Sequence, residues 1–270
     1  MKKVLTIAGS DCSGGAGIQA DIKTMSAHGV YAMSVIVSVV AENTFEVVSI
    51  EDLPDEIIKD QIDCIYNDMG TDAVKIGMLS NKRIMSCVRD KLLEYKPENV
   101  VLDPVMYAKH GACLMQEDAI DLLIEDLIPL CTCITPNIPE AERISGMKID
   151  GVDDMKKAAE IIRDMGAKYV LVKGGHHVGD AIDILYDGEN FHEFVTEKID
   201  TKNTHGTGCT LSSAIASNLA LGKSIDDAVK LSKEYITNAI KHDLHIGKGN
   251  GPTNHFYKFF EGELKNEKTI

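Results

Sequence analysis

The chain is short of positive charge and has no long apolar run. Its 28 lysines and arginines stand against 42 aspartates and glutamates, a net charge of −14, which argues against broad contact with nucleic acid or an anionic membrane. Any phosphate must be held by local groups. The apolar stretch near the N-terminus, Val4-Leu5-Thr6-Ile7-Ala8, is too short for a signal peptide, and no segment approaches the roughly 20 apolar residues that span a bilayer. A soluble, cytoplasmic protein is the expectation. Paired cysteines are lacking as well. The seven present are scattered without any Cys-x-x-Cys spacing, and the nearest two, Cys131 and Cys133, sit in an apolar run that reads as a strand, so neither disulfides nor structural zinc are expected. Repeats, low-complexity tracts and linkers are also missing. With 44% apolar residues among 270, the chain can bury one large core, and a single domain over 1–270 is predicted.

What is present is an alternation. Short β-branched runs at 4–8, 35–41, 73–78, 99–105, 131–135 and 169–173 are separated by stretches of helical period at 54–67, 81–94, 116–127 and 153–165. This is the pattern of βαβ units around a largely parallel sheet. Residues 182–186 and 191–195 flank Asp187-Gly188 and read as a hairpin, so an antiparallel edge extends the sheet. Two helices, 208–221 and 225–241, follow. Ligands of open α/β sheets bind beyond the carboxyl ends of the strands, which directs attention to the polar residues after each strand.

After the first strand comes Gly9-Ser10-Asp11-Cys12-Ser13-Gly14-Gly15-Ala16-Gly17, where bare backbone amides can approach a ligand. It is neither a Walker A loop nor Gly-x-Gly-x-x-Gly, and a plain βα turn is the competing reading. Asp21 is either an exposed acid in the first turns of the following helix or a group reaching back to a substrate hydroxyl. Thr204-His205-Gly206-Thr207-Gly208-Cys209-Thr210 is the strongest local signal, because Gly-x-Gly opens a helix of small residues. Amides and dipole at such a helix start suit a transferring phosphoryl group and lower the pKa of a thiol held there. Cys209, partly thiolate, then serves as a base toward an alcohol; a buried inert cysteine is the alternative. Asp103, at a strand end before a proline, and Glu140, in Asn-x-x-Glu at a helix start, suit Mg²⁺ bound through waters and nucleotide phosphates. Glu140 also fits a capping arrangement with Asn137. Lys173, closing an apolar strand, is a phosphate contact. His176-His177 has no third ligand at a zinc spacing.

Taken in order, Leu5-Thr6-Ile7-Ala8-Gly9-Ser10-Asp11, Ser13-Gly14-Gly15-Ala16-Gly17-Ile18-Gln19-Ala20-Asp21, Lys75-Ile76-Gly77-Met78-Leu79, Leu102-Asp103-Pro104-Val105-Met106, Thr135-Pro136-Asn137-Ile138-Pro139-Glu140-Ala141, Lys173-Gly174-Gly175-His176, the block around Cys209 and Gly247-Lys248-Gly249-Asn250-Gly251-Pro252 resemble the hydroxymethylpyrimidine and phosphomethylpyrimidine kinases of thiamin synthesis. These form a branch of the ribokinase-like superfamily. The resemblance runs almost end to end. It implies a three-layer α/β/α sandwich, ATP as co-substrate, Mg²⁺, a homodimer, and two successive phosphorylations of a hydroxymethyl group.

Residue by residue, the resemblance implies that Cys209 is the base and that Gly206, Thr207 and Gly208 form the anion hole. Asn137, Lys173 and Thr204 would contact the nucleotide, with Lys109 on a flap near its phosphates, and Asp103 and Glu140 would hold Mg²⁺. Gly9, Asp21, Glu42, Met78 and Val105 would line the pyrimidine pocket. Glu42 departs from the family, in which many members have Ala-Gln-Asn-Thr where this chain has Ala41-Glu42-Asn43-Thr44. A glutamine amide both donates and accepts, whereas an ionised carboxylate only accepts, so the contact requires a proton on Glu42 or on the ring. Pyridoxal kinase, sugar kinase and a non-catalytic regulatory module are the rival readings.

Overall fold

The computed structural model describes residues 1–108, 111–175 and 181–260. In chain order the principal elements are β1 (Lys3–Asp11), α1 (Gly17–Ala27), β2 (Tyr31–Glu42), β3 (Val47–Asp52), α2 (Asp55–Asp68), β4 (Ala73–Ile76), α3 (Lys82–Tyr95), β5 (Val100–Leu102), α4 (Ala119–Leu122), β6 (Cys133–Ile134), α5 (Ile138–Ser145), α6 (Val152–Asp164), β7 (Tyr169–Lys173), β8 (Ala181–Tyr186), β9 (Phe191–Thr196), α7 (Thr207–Ala220) and α8 (Ile225–Lys241). The strands form one nine-stranded sheet in the order β3-β2-β1-β4-β5-β6-β7-β8-β9. Pairing is parallel from β2 through β7. It is antiparallel for β3 on β2, β8 on β7 and β9 on β8.

Alternation along β1 builds the layers. Leu5 and Ile7 face a core shared with α2, α3, α5 and α6, while Val4 faces the opposite core with α1, α7 and α8, as a period of two requires. The three-layer ribokinase-like architecture predicted from the sequence is therefore the one observed, with antiparallel strands at both edges rather than one. Helix α7 is buried along nearly its whole length from Thr210 to Ala220. Its Ser and Ala side chains let it lie close against α1, β4 and β5.

Two local departures have physical reasons. β3 was not read from the sequence because it pairs only with β2 and has no inward stripe, most of it being half-buried or exposed. The helix expected over 116–127 is a short α4 that widens into a π turn over Leu123–Leu127 and ends in a 3₁₀ turn at Ile128–Leu130, where Pro129 supplies no amide to continue the helix.

The chain leaves β1 toward β2 on one side and returns to β4 on the other. The crevice beyond the end of β1 is thus a topological switch point, where ligands bind in open α/β sheets.

Candidate active site

At that crevice two glycine-rich segments clasp each other. Gly206, the N-cap of α7, has φ of 74°, and a Cβ there would lie 1.8 Å from the Gly15 carbonyl oxygen. A Cβ on Gly15 would lie 2.2 Å from the His205 ring. Only glycine permits either contact. Asp11 organises the first segment: its carboxylate accepts from the amides of Ser13 (2.7 Å), Gly15 (3.0 Å) and Ala16 (2.7 Å). It also accepts 3.0 Å bonds from Ser13 Oγ and His205 Nε2, so one buried carboxylate ties β1 to the start of α7. Burial alone would raise Asp11, but the bonds from His205, Ser13 and Ala16 bring it down to about 2.

Among the described residues no side chain caps α7, so the amides at its first positions stay available to an anion, reinforced by the helix dipole. The face they present is charged. A Cβ on Gly208 would lie 3.3 Å from Asp103 Oδ2 and 3.4 Å from Lys173 Nζ. Lys173 donates to Asp103 Oδ1 at 2.8 Å, Thr135 Oγ1 donates to the same oxygen at 3.2 Å, and Ser212 Oγ donates to Oδ2 at 3.3 Å. Burial opposes ionisation of both partners, yet Lys173 and Lys75 hold Asp103 below the usual carboxylate range, and Asp103 and Glu140 raise Lys173. Glu140 is 3% exposed and completes a capping box with Asn137. Asn137 Oδ1 accepts from the Glu140 amide at 3.0 Å, and Glu140 Oε2 accepts from the Asn137 amide at 2.8 Å. Burial, with the charge of Asp103 added, pushes Glu140 up to about 7 against the pull of Lys173. The capping role and the proximity to Asp103 and Lys173 thus coexist.

Cys209 lies in the first turn of α7, partly exposed yet recessed. Its sulfur faces Lys75, Asp21 and Asp103, with the Gly17 amide on the same side. The expectation of a depressed thiol is corrected here. Desolvation pushes Cys209 up to about 11, the carboxylates add to this, and Lys75 and the Gly17 amide only partly offset it. The helix-start field is real, but the depth of the recess outweighs it.

Asp21 also differs from both of its sequence readings. Its side chain is 0% exposed. Its oxygens accept from Lys75 Nζ (2.9 Å to each), Thr6 Oγ1 (2.6 Å) and Ser213 Oγ (2.7 Å). It is neither a surface acid nor a group open to a substrate hydroxyl. It is the counter-ion of Lys75, which is itself fully buried and held cationic by Asp21 against its desolvation.

Of the other expected pocket residues, Gly9 and Met78 meet. A Cβ on Gly17 would lie 2.3 Å from the Gly9 oxygen, and one on Gly9 would lie 2.7 Å from Met78 Cε. Cys209, Gly17, Gly9 and Met78 therefore form a continuous wall. Val105 is half-buried, and its amide bonds the Asp103 oxygen at 2.9 Å. Thr204 is half-buried and accepts from Thr207 Oγ1 through its carbonyl at 3.2 Å. Glu42 ends β2 beside Asp11 and His205, with one ligand atom from each of the three lying within 4.8 Å of the others. Lys109, His176 and His177 lie outside the described residues.

Sequence reasoning gave no role to Asp11, His205 or Lys75. Only Lys75 had a local signal: a lysine between Val74 and Ile76 in a fully buried strand requires a buried carboxylate.

Comparison with known proteins follows the geometry. A phosphomethylpyrimidine kinase family model matches residues 11–254. The hydroxymethylpyrimidine/phosphomethylpyrimidine kinase of Bacillus subtilis is 47% identical over 256 residues, covering 94% of each chain. A thiamine biosynthesis bifunctional protein of Geobacter sulfurreducens is 48% identical over 253 residues, 93% of this chain, which spans 52% of that longer protein. Among solved structures, phosphomethylpyrimidine kinase from Clostridium difficile superposes with a TM-score of 0.81 at 51% identity, covering 89% of this chain and all of that one. A Bacillus subtilis pyridoxal kinase in complex with ADP superposes with a TM-score of 0.89 at 41% identity, covering 94% and 97%. A family match across most of its length, and a relative this similar over nearly its whole length, place the chain in the phosphomethylpyrimidine kinase family.

Proposed function

We propose that the chain transfers the γ-phosphoryl group of ATP to the hydroxymethyl group of 4-amino-5-hydroxymethyl-2-methylpyrimidine, and then to the resulting monophosphate, in thiamin synthesis. One observation carries this reading: two surfaces of different chemistry meet at Cys209. On one side Gly17, Gly9 and Met78 pack in series beside Cys209, close-set groups with little polarity of their own that suit a small ring. On the other, the start of α7 at Gly208 lies against Lys173 and Asp103, a setting for phosphate. Asn137, bridged to Lys173, and Thr204, whose carbonyl accepts from Thr207, border the phosphate side.

The residues fit Mg²⁺. Among the described residues, Asp103 Oδ2 is held only by a 3.3 Å hydroxyl contact and Glu140 Oε1 only by a 3.5 Å amide contact, and both carboxylates are buried. Mg²⁺ held there through waters by Asp103 and Glu140 would neutralise nucleotide charge. The protein's own contribution is positional and electrostatic. Lys173 and the α7 amides bind the transferring phosphoryl group, while the Gly9–Met78 wall aligns the alcohol in line with it. The hydroxyl proton passes to Cys209 as the O–P bond forms. Cys209 accepts it as thiolate, a minor form at neutral pH that Lys75 and the Gly17 amide favour. Asp21 acts at one remove, by keeping Lys75 charged and in place. A cytoplasmic homodimer built on a single domain completes the proposal, supported by the family likeness.

Pyridoxal kinase is the second reading, favoured by the likeness to the Bacillus subtilis structure. Steady-state assays with each alcohol under saturating Mg-ATP separate the two. A kcat/KM for the hydroxymethylpyrimidine well above that for pyridoxal is expected; the reverse order overturns the assignment.

A further inference from the structure

Besides Lys75–Asp21 and Lys173–Asp103, the protein buries a further lysine–aspartate pair. Lys233 of α8 donates from Nζ to Asp183 Oδ2, on β8, at 2.6 Å and to the Ala181 carbonyl at 3.2 Å. Asp183 is 4% exposed and Lys233 8%. At that depth the desolvation of both charges cancels much of their attraction, so stability alone is a weak reason for such a pair. The second carboxylate oxygen points to another reason: Asp183 Oδ1 accepts from the Gly174 amide at 2.9 Å.

Gly174 follows Lys173 directly. The ladder between β7 and β8 closes at the pair Lys173 and Asp183, yet Gly174 remains buried, and a buried amide beyond the end of a ladder needs an acceptor. The Asp183 side chain supplies it. A Cβ on Gly174 would lie 2.0 Å from the Ile182 carbonyl oxygen, so only glycine lets the chain pass this close to β8. On the other flank the Lys173 amide donates to the Pro136 carbonyl at 2.8 Å, beside the bridge between Asn137 and Lys173. Lys173 is therefore held through its own amide by the segment after β6 and through the next amide by Asp183. From that fixed backbone its Nζ reaches Asp103 Oδ1 at 2.8 Å.

Resting on the reading of Lys173 as a phosphate ligand, we propose that Asp183 is a positioning residue for the nucleotide: it fixes the peptide unit between Lys173 and Gly174, and Lys233 holds its carboxylate in the orientation this requires. Asp183 acts only through Lys173 and touches neither nucleotide nor alcohol. A pair that merely tied α8 to the sheet would be indifferent to whether residue 183 can accept from the Gly174 amide. That difference is measurable.

Two double variants of the full chain separate the roles, because each removes both charges together. Asp183→Asn with Lys233→Met keeps an acceptor for the Gly174 amide, whereas Asp183→Leu with Lys233→Met does not. In calorimetric titration with Mg-ATP, the asparagine variant should bind within about twofold of wild type. The leucine variant should bind about tenfold more weakly, the contribution of one buried hydrogen bond, with its Kd for the hydroxymethylpyrimidine within about twofold of wild type. Lys173→Met tests the route: in that background the leucine variant should weaken Mg-ATP by less than about twofold more, since nothing is left for Asp183 to position. Equal Mg-ATP affinities in the two double variants, or a tenfold loss that persists beside Lys173→Met, overturn the inference and leave Lys173 as a phosphate ligand. Unchanged Mg-ATP binding by Lys173→Met itself overturns both. Should the leucine variant not fold, amide hydrogen exchange at Gly174 in wild type decides: strong protection is expected, and exchange at the rate of an open chain overturns the inference.

Discussion

Replacing Lys75 with methionine removes the cation beneath the active site while nearly preserving volume. Its Nζ donates to both oxygens of Asp21 at 2.9 Å, and neither side chain is exposed to solvent. Removing one partner of a buried pair strands the other charge, which costs about 3–5 kcal/mol. Here Asp21 retains the Thr6 and Ser213 hydroxyls at 2.6 and 2.7 Å, so the lower end, about 3 kcal/mol, is expected. Adding Asp21→Asn to Lys75→Met removes the stranded charge, keeps an acceptor for one hydroxyl and gives the other an amide donor to accept from. The double variant should therefore recover about 2 kcal/mol, a strongly non-additive result. Urea unfolding with an unchanged m-value reads both quantities. A loss below about 1 kcal/mol for Lys75→Met, or a double variant that loses the sum of the two single variants, would refute the view of Lys75 and Asp21 as a buried pair.

Two other expectations follow from the same geometry. Gly206→Ala forces a Cβ into the Gly15 carbonyl at positive φ, whereas Gly222→Ala, at φ of 83°, meets open space. The second should cost about 1 kcal/mol and the first several more, with loss of nucleotide binding; equal costs would dissolve the clasp. The Cys209 thiol, pushed up to about 11, is protonated at neutral pH and gains thiolate tenfold per pH unit below that value. Its alkylation by iodoacetamide at pH 7.5 should run roughly three thousandfold below the fully ionised rate and climb steadily toward pH 10. A plateau reached before pH 8 contradicts the recessed site.

The parallel sheet, the β8–β9 hairpin and the crossover helices were legible because each rests on local periodicity: Leu5 and Ile7 against Val4, or the capping box of Asn137 and Glu140. The residues at the strand ends were legible for the same reason, since Asp103, Glu140, Lys173 and Cys209 each follow a strand or open a helix. What stayed hidden depends on distance in sequence. Nothing near Glu42 announces that Asp11 and His205 will flank it. Nothing near Asp21 announces Ser213 and Lys75, which turn an apparent surface acid into a buried counter-ion. The Cys209 thiol was misjudged because the field at a helix start can be read from Gly206-Thr207-Gly208, but the enclosure around the sulfur belongs to α1 and β4. Edge strand β3 escaped because none of its residues is buried, which leaves no inward stripe to betray a strand.

Cys209→Ala tests the central claim most directly, with turnover of hydroxymethylpyrimidine and equilibrium binding of ATP measured on the same preparation. If Cys209 receives the hydroxyl proton while the α7 amides and Lys173 hold the phosphates, kcat should fall by about 10²–10⁴, the contribution of a positioned base, while the nucleotide Kd stays within about twofold. Turnover that survives within a few-fold, or a loss confined to nucleotide affinity, would contradict it.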